Sequence, residues 1–244
     1  MEIEKERLSN RIFLPKWIWL EHDARYFFAS KLVPNKIVVD CACGSGVGTN
    51  VFAKAGAKQI YAFDIAEKAV QEAAEKNKNQ AVSFQSSSAL QLPLQNDTVD
   101  LYISLETIEH IPEDKKFLKE VERVLQPNGA FICSTPNRTV TNPGKNINDK
   151  PANNFHVREY SKKEFELLLK STFKNVEFFG QNPNYKAKIS TLQFFSKVLP
   201  KNAVVRIHQA LKLLNSFLAK KSYYSVQKIK PDREYEYVVA VCKN

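Results

Sequence analysis

Residues 38–50 read VVDCACGSGVGTN, and this stretch decides the fold. The β-branched run at 36–41 predicts a buried strand. Three of the chain's seven glycines follow within 44–48. Glycine permits positive φ and a close approach of the backbone to a ligand. A helix predicted from this loop to about Ala55 begins with N–H groups that have no partner inside the helix. The unit therefore predicts a ligand-binding loop between a strand and a helix.

Strands and helices alternate on both sides of this loop. Aromatic and charged residues at 10–31 predict one or two helices before the first strand. Further strands are predicted at 59–64, 81–85, 98–104, 130–135, 176–180 and 235–242, and helices at 66–78, 112–125 and 161–171. Asn128-Gly129 is expected to end the second of these helices, and Ser161 with Glu164 matches a capping box. The alternation predicts a parallel sheet covered on both faces, with ligands beyond the carboxyl ends of its strands.

The loop predicts a cofactor that contains a nucleoside. Asp64 ends the second predicted strand, twenty residues after Gly44. A carboxylate at that place can accept both ribose hydroxyls. The glycine spacing is GxGxG and Thr49 takes the place of the third glycine of the GxGxxG dinucleotide fingerprint, while the GK[ST] of a phosphate-binding P-loop is missing.

Four stretches together resemble the class I S-adenosylmethionine-dependent methyltransferases. They are the motif at 38–50, YAFDIAEKAV at 61–70, ALQLPLQNDTVDLYISLETIEHI at 89–111 and FLKEVERVLQPNGAFICSTPN at 117–137. The resemblance covers about residues 25–182. It implies an α/β, Rossmann-like sheet of seven strands, mostly parallel with an antiparallel last strand and helices on both faces. It also implies S-adenosylmethionine as the cofactor and methyl transfer as the reaction.

The resemblance assigns cofactor roles to the first two motifs. Gly44 and Gly46 are expected to lie against the homocysteine part and the ribose. Asp40 is expected to help hold the methionine amino group through the loop. Asp64 is expected to bind the ribose hydroxyls, and Ile65 to pack on the adenine.

The third motif supplies the remaining cofactor contacts. Ala89 is expected to offer its backbone N–H to the adenine, and Leu105 and Glu106 to line the methionine end. Ser88 stands where the family usually has an acid that accepts a hydrogen bond from the adenine amino group. A hydroxyl can accept that bond, but without the gain from a charged acceptor.

Two of the four histidines are candidates for the catalytic base. His110 follows the fourth predicted strand and His156 follows the fifth, so both belong to the rim of the site in this topology. Histidine is the residue that most often takes the proton of a hydroxyl nucleophile. Structural roles for both remain the alternative, while His22 is interpreted as a lid residue and His208 as a solvated helix position.

The sequence STPNR at 134–138 and the later FHVREY at 155–160 narrow the resemblance. Together they resemble methyltransferases of bacterial cell-surface glycans, which implies a sugar hydroxyl of a polysaccharide, glycolipid or precursor as the acceptor. The alternatives are a quinone-like or nucleotide-sugar small molecule, an RNA, and cofactor binding without catalysis. The chain has neither [DN]PP[YF] after the fourth predicted strand nor a Pro-Cys pair, and no acidic cluster resembles a magnesium site, so no metal is expected.

The division into regions follows from composition. We predict an N-terminal helical lid at 1–35, a cofactor-binding core at 36–182, a basic helical insertion at 183–230 and a final core strand at 231–244. The insertion holds ten Lys or Arg and no acid, which equals the whole net charge of +10. It also has two apolar stripes: Ile189, Leu192, Phe195 and Leu199, then Val204, Ile207, Leu211, Leu214 and Leu218.

Two interpretations of the basic insertion stay open. It is either a pair of lid helices with solvated lysines, or a clamp for an anionic membrane surface or a lipid phosphate. Nucleic acid is disfavoured because Arg206 is its only arginine, and arginine is the residue best suited to phosphate and base recognition.

Several features predict a cytoplasmic protein, with peripheral association at the inner face of the membrane as the further option. No apolar run approaches the roughly 18 residues of a membrane span, and five of the first seven residues are charged, three of them acidic, unlike a secretory signal. The cysteines at 41, 43, 133 and 242 lack the spacing of a zinc set and predict reduced, mostly buried thiols. The sequence predicts no oligomeric state.

Overall fold

The computed structural model describes residues 16–195, 197, 199–200, 203–207, 210 and 221–244. One sheet organises this part of the chain. Its strands are β1 (Ile37–Cys41), β2 (Gln59–Asp64), β3 (Val82–Ser86), β4 (Val99–Leu105), β5 (Leu125–Pro136), β6 (Asn175–Tyr185), β7 (Gln227–Lys228) and β8 (Arg233–Lys243). The helices are α1 (Lys16–Ser30), α2 (Val47–Lys54), α3 (Glu67–Lys76), α4 (Asp114–Val124), α5 (Arg138–Thr141), α6 (Lys162–Lys170) and α7 (Lys186–Phe195), with short 3-10 turns at Ile108–His110 and Lys221–Tyr224.

The sheet order is β3-β2-β1-β4-β5-β8-β6-β7. Strands β1 to β5 pair in parallel, and β8 lies antiparallel between β5 and β6. The strand order reverses at β1, so the carboxyl ends of β1 and β4 border the crevice where such sheets bind ligands. The predicted fold is confirmed, with one short extra strand at the edge.

Alternate residues of the strands face two separate apolar cores. Val39 and Tyr102 pack with α4 and α6 on one face. Val38 and Leu101 pack with α1 and α2 on the other. A side chain changes face at every step along a strand, so the consecutive Val38 and Val39 of β1 fill both cores at once.

The structure differs from the predicted elements in three places. Helix α4 ends at Val124, within one residue of the predicted end, but β5 begins at Leu125 rather than at Ala130, because Leu125 pairs with Val99 before the register shifts. The pairing, and not Asn128-Gly129, therefore ends the helix. Strand β6 extends to Tyr185 because β8 pairs with it over its whole length. The two-residue β7 pairs with β6, so part of the predicted insertion returns to the sheet.

The described part of the insertion packs near the carboxyl end of β5. Leu192 and Val204 form a buried cluster with Val140 of α5. Leu199 and Ile207 are exposed, so the predicted apolar stripes are only partly covered by described residues. Leu211, Leu214, Leu218 and the side chains of Ile189 and Phe195 lie outside the described residues.

Two smaller predictions are confirmed. Ser161 and Glu164 form the capping box at the start of α6, and all four cysteines are buried thiols. None of the helices in the described ranges is long and apolar enough to cross a membrane.

Candidate active site

The glycine loop after β1 has one open side and one packed side. Gly46 caps α2 with φ 76°, and Gly44 has φ +52°. A Cβ added to Gly44 would meet nothing within 4 Å, whereas one added to Gly48 would lie 2.6 Å from Cε1 of Tyr26. The loop therefore leaves room for a ligand at Gly44 and rests on α1 at Gly48.

Asp64 is fixed beside the open side of the loop. Its Oδ2 accepts a hydrogen bond from the Gly44 N–H at 2.9 Å, and its Oδ1 accepts one from Ala66 N–H at 2.9 Å. Ile65, the next residue, is 72% exposed. The structure thus brings together the residues predicted for the ribose and for one face of the adenine.

The last residue of β3 and the residue after it contact Asp64 and Ile65. Ser86 Oγ donates to the Ile65 carbonyl, and Ser87 N–H donates to the Asp64 carbonyl at 3.0 Å. Ser88 Oγ accepts from Leu90 N–H at 3.2 Å, and half-buried Ala89 packs against the first core. Ser88 and Ala89 therefore follow directly on residues that contact Asp64 and Ile65. All of the residues predicted to contact the adenine thus belong to neighbouring segments.

Asp40 is buried behind the glycine loop. Its Oδ2 accepts a hydrogen bond from Thr49 Oγ1 at 2.5 Å. Burial raises the pKa of Asp40 to about 7; the Thr49 hydrogen bond opposes this shift and the charge of Asp64 adds to it. Asp40 therefore ties β1 to α2 behind the glycine loop.

Glu106 continues the edge at the carboxyl end of β4, directly after Leu105. It is held at φ 54°, a conformation that costs a non-glycine residue about 1–3 kcal/mol and is concentrated at functional sites. Its N–H donates to the Ser134 carbonyl at 3.1 Å, and its Oε1 accepts from Ser134 Oγ at 2.7 Å. Nε of Arg25 is 3.9 Å from the same oxygen.

Arg25 belongs to a buried polar cluster that sequence reasoning missed. The side chain is 1% exposed, and its Nη1 donates to Gln181 Oε1 at 2.6 Å. Asn182 Nδ2 donates to Glu21 and, at 3.2 Å, to Glu236. Within the described ranges, Arg25 Nη2 and Asn182 Oδ1 have no hydrogen-bond partner. The members lie up to 215 positions apart (from Glu21 to Glu236), and only the tertiary fold unites them.

The two candidate catalytic histidines are in direct contact. Their ring centroids are 4.8 Å apart and the rings are nearly perpendicular, at 84°. Nδ1 of His110 is 3.0 Å from the Phe155 carbonyl oxygen. Nδ1 of His156 is 2.7 Å from Glu159 Oε1, and its Nε2 is 2.9 Å from Nδ2 of Asn153.

These contacts fix the tautomers of both rings. A carbonyl or an ionised carboxylate can only accept, so Nδ1 carries the proton in His110 and in His156. Burial opposes ionisation of Glu159, but hydrogen bonds from His156 and Thr141 outweigh it and lower the pKa of Glu159. With Nδ1 donating, Nε2 is the ring nitrogen of each histidine that can accept a proton or ligate a cation.

Glu109 joins the two histidines. It is fully buried, and its Oε2 accepts from Thr135 Oγ1 at 3.0 Å. Burial, with the nearby charge of Glu106, raises the pKa of Glu109 well above its usual range. One carboxylate oxygen of Glu109 and one ring nitrogen of each histidine all lie within 4.8 Å of one another. The sequence predicted no metal site, whereas the fold assembles three side chains of the metal-binding type.

The other two histidines, His22 and His208, were not predicted to belong to the catalytic site. The His22 ring is 6.3 Å from that of Tyr26 on α1, in the region predicted to be the lid. His208 is outside the described residues, so its predicted place on a solvated helix stays a prediction.

The edge from Gly44 to Ile65 fits S-adenosylmethionine. Open space before Gly44 admits the chain of the cofactor, a fixed carboxylate suits a ribose diol, and the exposed side chain of Ile65 suits a flat base.

Comparisons with known proteins agree with this geometry. Residues 39–133 match the family described as "Methyltransferase domain". A probable S-adenosylmethionine-dependent methyltransferase of Mycolicibacterium smegmatis is 31% identical over 156 residues, 64% of this chain and 58% of the relative. A ubiquinone biosynthesis O-methyltransferase of Parvibaculum lavamentivorans is 29% identical over 104 residues, 42% of this chain and 41% of the relative.

Solved structures show the same fold. A SAM-dependent methyltransferase of Aquifex aeolicus superposes with a TM-score of 0.55 at 21% identity, over 74% of this chain and 90% of that one. The chain thus has the class I methyltransferase fold. Its residues 39–133 are similar to a methyltransferase domain, and several of the relatives it matches are named as probable S-adenosylmethionine-dependent methyltransferases. It spans 50–58% of the length of the first curated relatives it matches.

Proposed function

We propose that this protein transfers a methyl group from S-adenosylmethionine to a hydroxyl oxygen, and that the acceptor is a sugar hydroxyl of a cell-surface polysaccharide, a glycolipid or its precursor. The observation that carries the proposal is the pair His110 and His156, which follow β4 and β5 at the edge where Gly44 and Asp64 also lie.

The histidine pair favours a hydroxyl as the acceptor group. Bound S-adenosylmethionine supplies an electrophilic methyl group. A hydroxyl must lose its proton to become a good nucleophile, and a positioned imidazole assists such a loss by about 10²–10⁴-fold. Glu159 holds the ring of His156 at 2.7 Å, so the imidazole is already oriented for this role.

The buried polar cluster favours a sugar over a quinone-like ring. Arg25 Nη2 and Asn182 Oδ1 are a donor and an acceptor that meet no partner on any described residue. Arg25 also lies beside Glu106 at the carboxyl end of β4. If acceptor binding opens this buried cluster, the hydroxyls of a sugar can pair with both groups, whereas a flat apolar ring would leave them unpaired at a cost of about 1–3 kcal/mol each.

The test separates cofactor binding from catalysis. His156→Ala should lower turnover, measured as S-adenosylhomocysteine formation, by about 100-fold, with S-adenosylmethionine affinity unchanged by calorimetry. Asp64→Ala should instead weaken S-adenosylmethionine binding by about tenfold or more, because the ribose loses its acceptor. His22→Ala is the matched control and should change neither. Equal loss of affinity in His156→Ala and Asp64→Ala would contradict the assigned roles.

The acceptor class is tested with methyl-labelled S-adenosylmethionine and a cell lysate. Label in the polysaccharide or lipid-linked glycan fraction is the expected result. Label in quinones or RNA would replace the sugar by one of the alternatives, and the absence of S-adenosylhomocysteine would overturn the activity itself.

A further inference from the structure

We propose that Glu109, His110 and His156 bind a divalent transition-metal cation, of the class of zinc, manganese or iron(II). The three side chains offer one carboxylate oxygen and two imidazole nitrogens within 4.8 Å of one another. Two histidines and one carboxylate form a recurring protein ligand set for such cations, and it leaves coordination positions open.

Glu109 contributes an observation that is independent of the cluster's composition. Its Oε1 is buried and has no hydrogen-bond partner among the described residues. An unpartnered buried carboxylate oxygen is costly. A bound cation would satisfy this atom directly.

The surroundings of the histidines have the form found at metal centres. Ligating histidines almost always donate their other ring N–H to a carbonyl or a carboxylate. His110 does so to the Phe155 carbonyl at 3.0 Å, and His156 to Glu159 at 2.7 Å. Because Nδ1 of each ring is engaged in this way, Nε2 is the nitrogen that would ligate the cation. The Asn153 amide, 2.9 Å from Nε2 of His156, would be displaced by the cation.

The chain fold explains how the ligands meet. The Glu109 carbonyl accepts from Val157 N–H at 2.9 Å, which docks the segment after β5 on the turn after β4. This contact carries His156 to its two partners, 46 and 47 positions earlier in the chain.

The role of the cation rests on the proposed function. A cation held by Glu109, His110 and His156 would offer an open coordination position to the acceptor hydroxyl and would lower the pKa of that hydroxyl. The proton would leave to water, the oxygen would bond to the methyl carbon, and the bond from that carbon to sulfur would break to give S-adenosylhomocysteine. The imidazoles would then be ligands in place of the base assigned above, and the loss of activity expected for His156→Ala stays the same.

Metal binding is tested without reference to activity. The tag-free protein, stripped with a chelator, is titrated with CoCl₂ while visible absorption is recorded, and with ZnCl₂ in competition. One equivalent should bind. Glu109→Gln, His110→Ala and His156→Ala should each weaken binding by about tenfold or more, and Glu159→Gln by about 10–100-fold. His22→Ala should bind like the wild type.

Thermal unfolding and S-adenosylmethionine affinity verify that each variant folds. If Glu109→Gln does not fold, the Co²⁺ affinity of His156→Ala decides whether the metal site exists. Binding of Co²⁺ with wild-type affinity by His110→Ala and His156→Ala, or no binding by the wild type at millimolar Co²⁺, would overturn the metal site. Co²⁺ binding without S-adenosylhomocysteine formation would instead refute the proposed function and leave the site standing. Full turnover by stripped protein that binds no Co²⁺ would refute the metal site and leave the proposed function standing.

Discussion

Two glycine variants distinguish the loss of cofactor affinity from the loss of stability caused by backbone strain. Gly44→Ala should cost about 1–2 kcal/mol of stability, because φ is +52°. Its Cβ would also enter open space that we assign to the cofactor, so S-adenosylmethionine affinity should fall by about tenfold or more. Gly56→Ala is the matched control, since Gly56 has φ +86° and also no atom within 4 Å of an added Cβ. It should lose stability but keep its affinity, as read by calorimetry and urea unfolding; equal affinities for the two variants would remove Gly44 from the cofactor site.

Asp40 makes stability depend on pH. Its pKa is about 7 in the folded protein and about 3.9 in the unfolded chain. Between these values the folded state holds more protons, so Asp40 lowers the free energy of unfolding as pH rises, by at most about 1.4 kcal/mol per pH unit. Asp40→Asn should abolish this contribution, so its stability relative to the wild type should rise from pH 5 to pH 7 and then level off. Urea unfolding across this range measures the difference.

The variant Thr49→Val should extend the pH dependence that Asp40→Asn abolishes. The Thr49 hydroxyl donates to Asp40 and lowers its pKa. Without that bond the pKa of Asp40 should rise, and the pH-dependent loss of stability should continue above pH 7. A difference curve that stays flat for Asp40→Asn would show that Asp40 is ionised throughout.

At the scale of elements, Gly48 of α2 packs closely against Tyr26 of α1. A Cβ at Gly48 would lie 2.6 Å from the Tyr26 ring, and Tyr26 adjoins Arg25 of the polar cluster. Gly48→Ala should therefore destabilise the protein by about 1–3 kcal/mol. The variant Tyr26→Ala removes the obstructing ring, so the double variant should lose less than the sum of the two single losses. Strict additivity in urea unfolding would contradict the close contact.

Elements whose signals are local could be predicted from the sequence. Strand β2 and the capping box of α6 follow from residues adjacent in the chain. The start of β5 could not, because Asn128-Gly129 resembles a helix stop, whereas pairing of Leu125 with Val99 decides the boundary. The two-residue β7 also depends on a neighbouring strand, not on its own sequence.

At the scale of the molecule, the antiparallel β8 explains why the site was only half predicted. Its amino-terminal residues, among them Tyr237 opposite Pro136, reach the edge formed by the carboxyl ends of the parallel strands. The residues predicted for the cofactor lie in short motifs, so the sequence alone could propose them. The polar cluster and the proposed metal ligands come from turns and strands that only this topology brings together, and a sequence motif carries no signal for such distances.

The described residues of the basic segment at 183–230 carry exposed basic and apolar side chains, and we propose that this segment contacts anionic membranes. Its described side chains include the exposed bases Lys186, Lys197, Arg206, Lys228 and Lys230. Exposed apolar side chains accompany them, with Phe194 at 62%, Ile207 at 46% and Leu199 at 42%. This combination suits an interface with anionic lipids, where each base near the surface contributes about 1 kcal/mol.

A charge-neutralised variant tests this contact. Replacing Lys186, Lys197, Lys228 and Lys230 by glutamine should greatly reduce cosedimentation with vesicles of phosphatidylglycerol and phosphatidylcholine, because up to about 4 kcal/mol of electrostatic attraction is lost. The control replaces the exposed Lys54, Lys68, Lys76 and Lys78 by glutamine, which changes the net charge equally outside the segment. It should bind nearly as the wild type does, and wild-type binding should weaken with added salt. Equal losses in the two variants would attribute binding to net charge alone, and undiminished binding of the first variant would refute the contact.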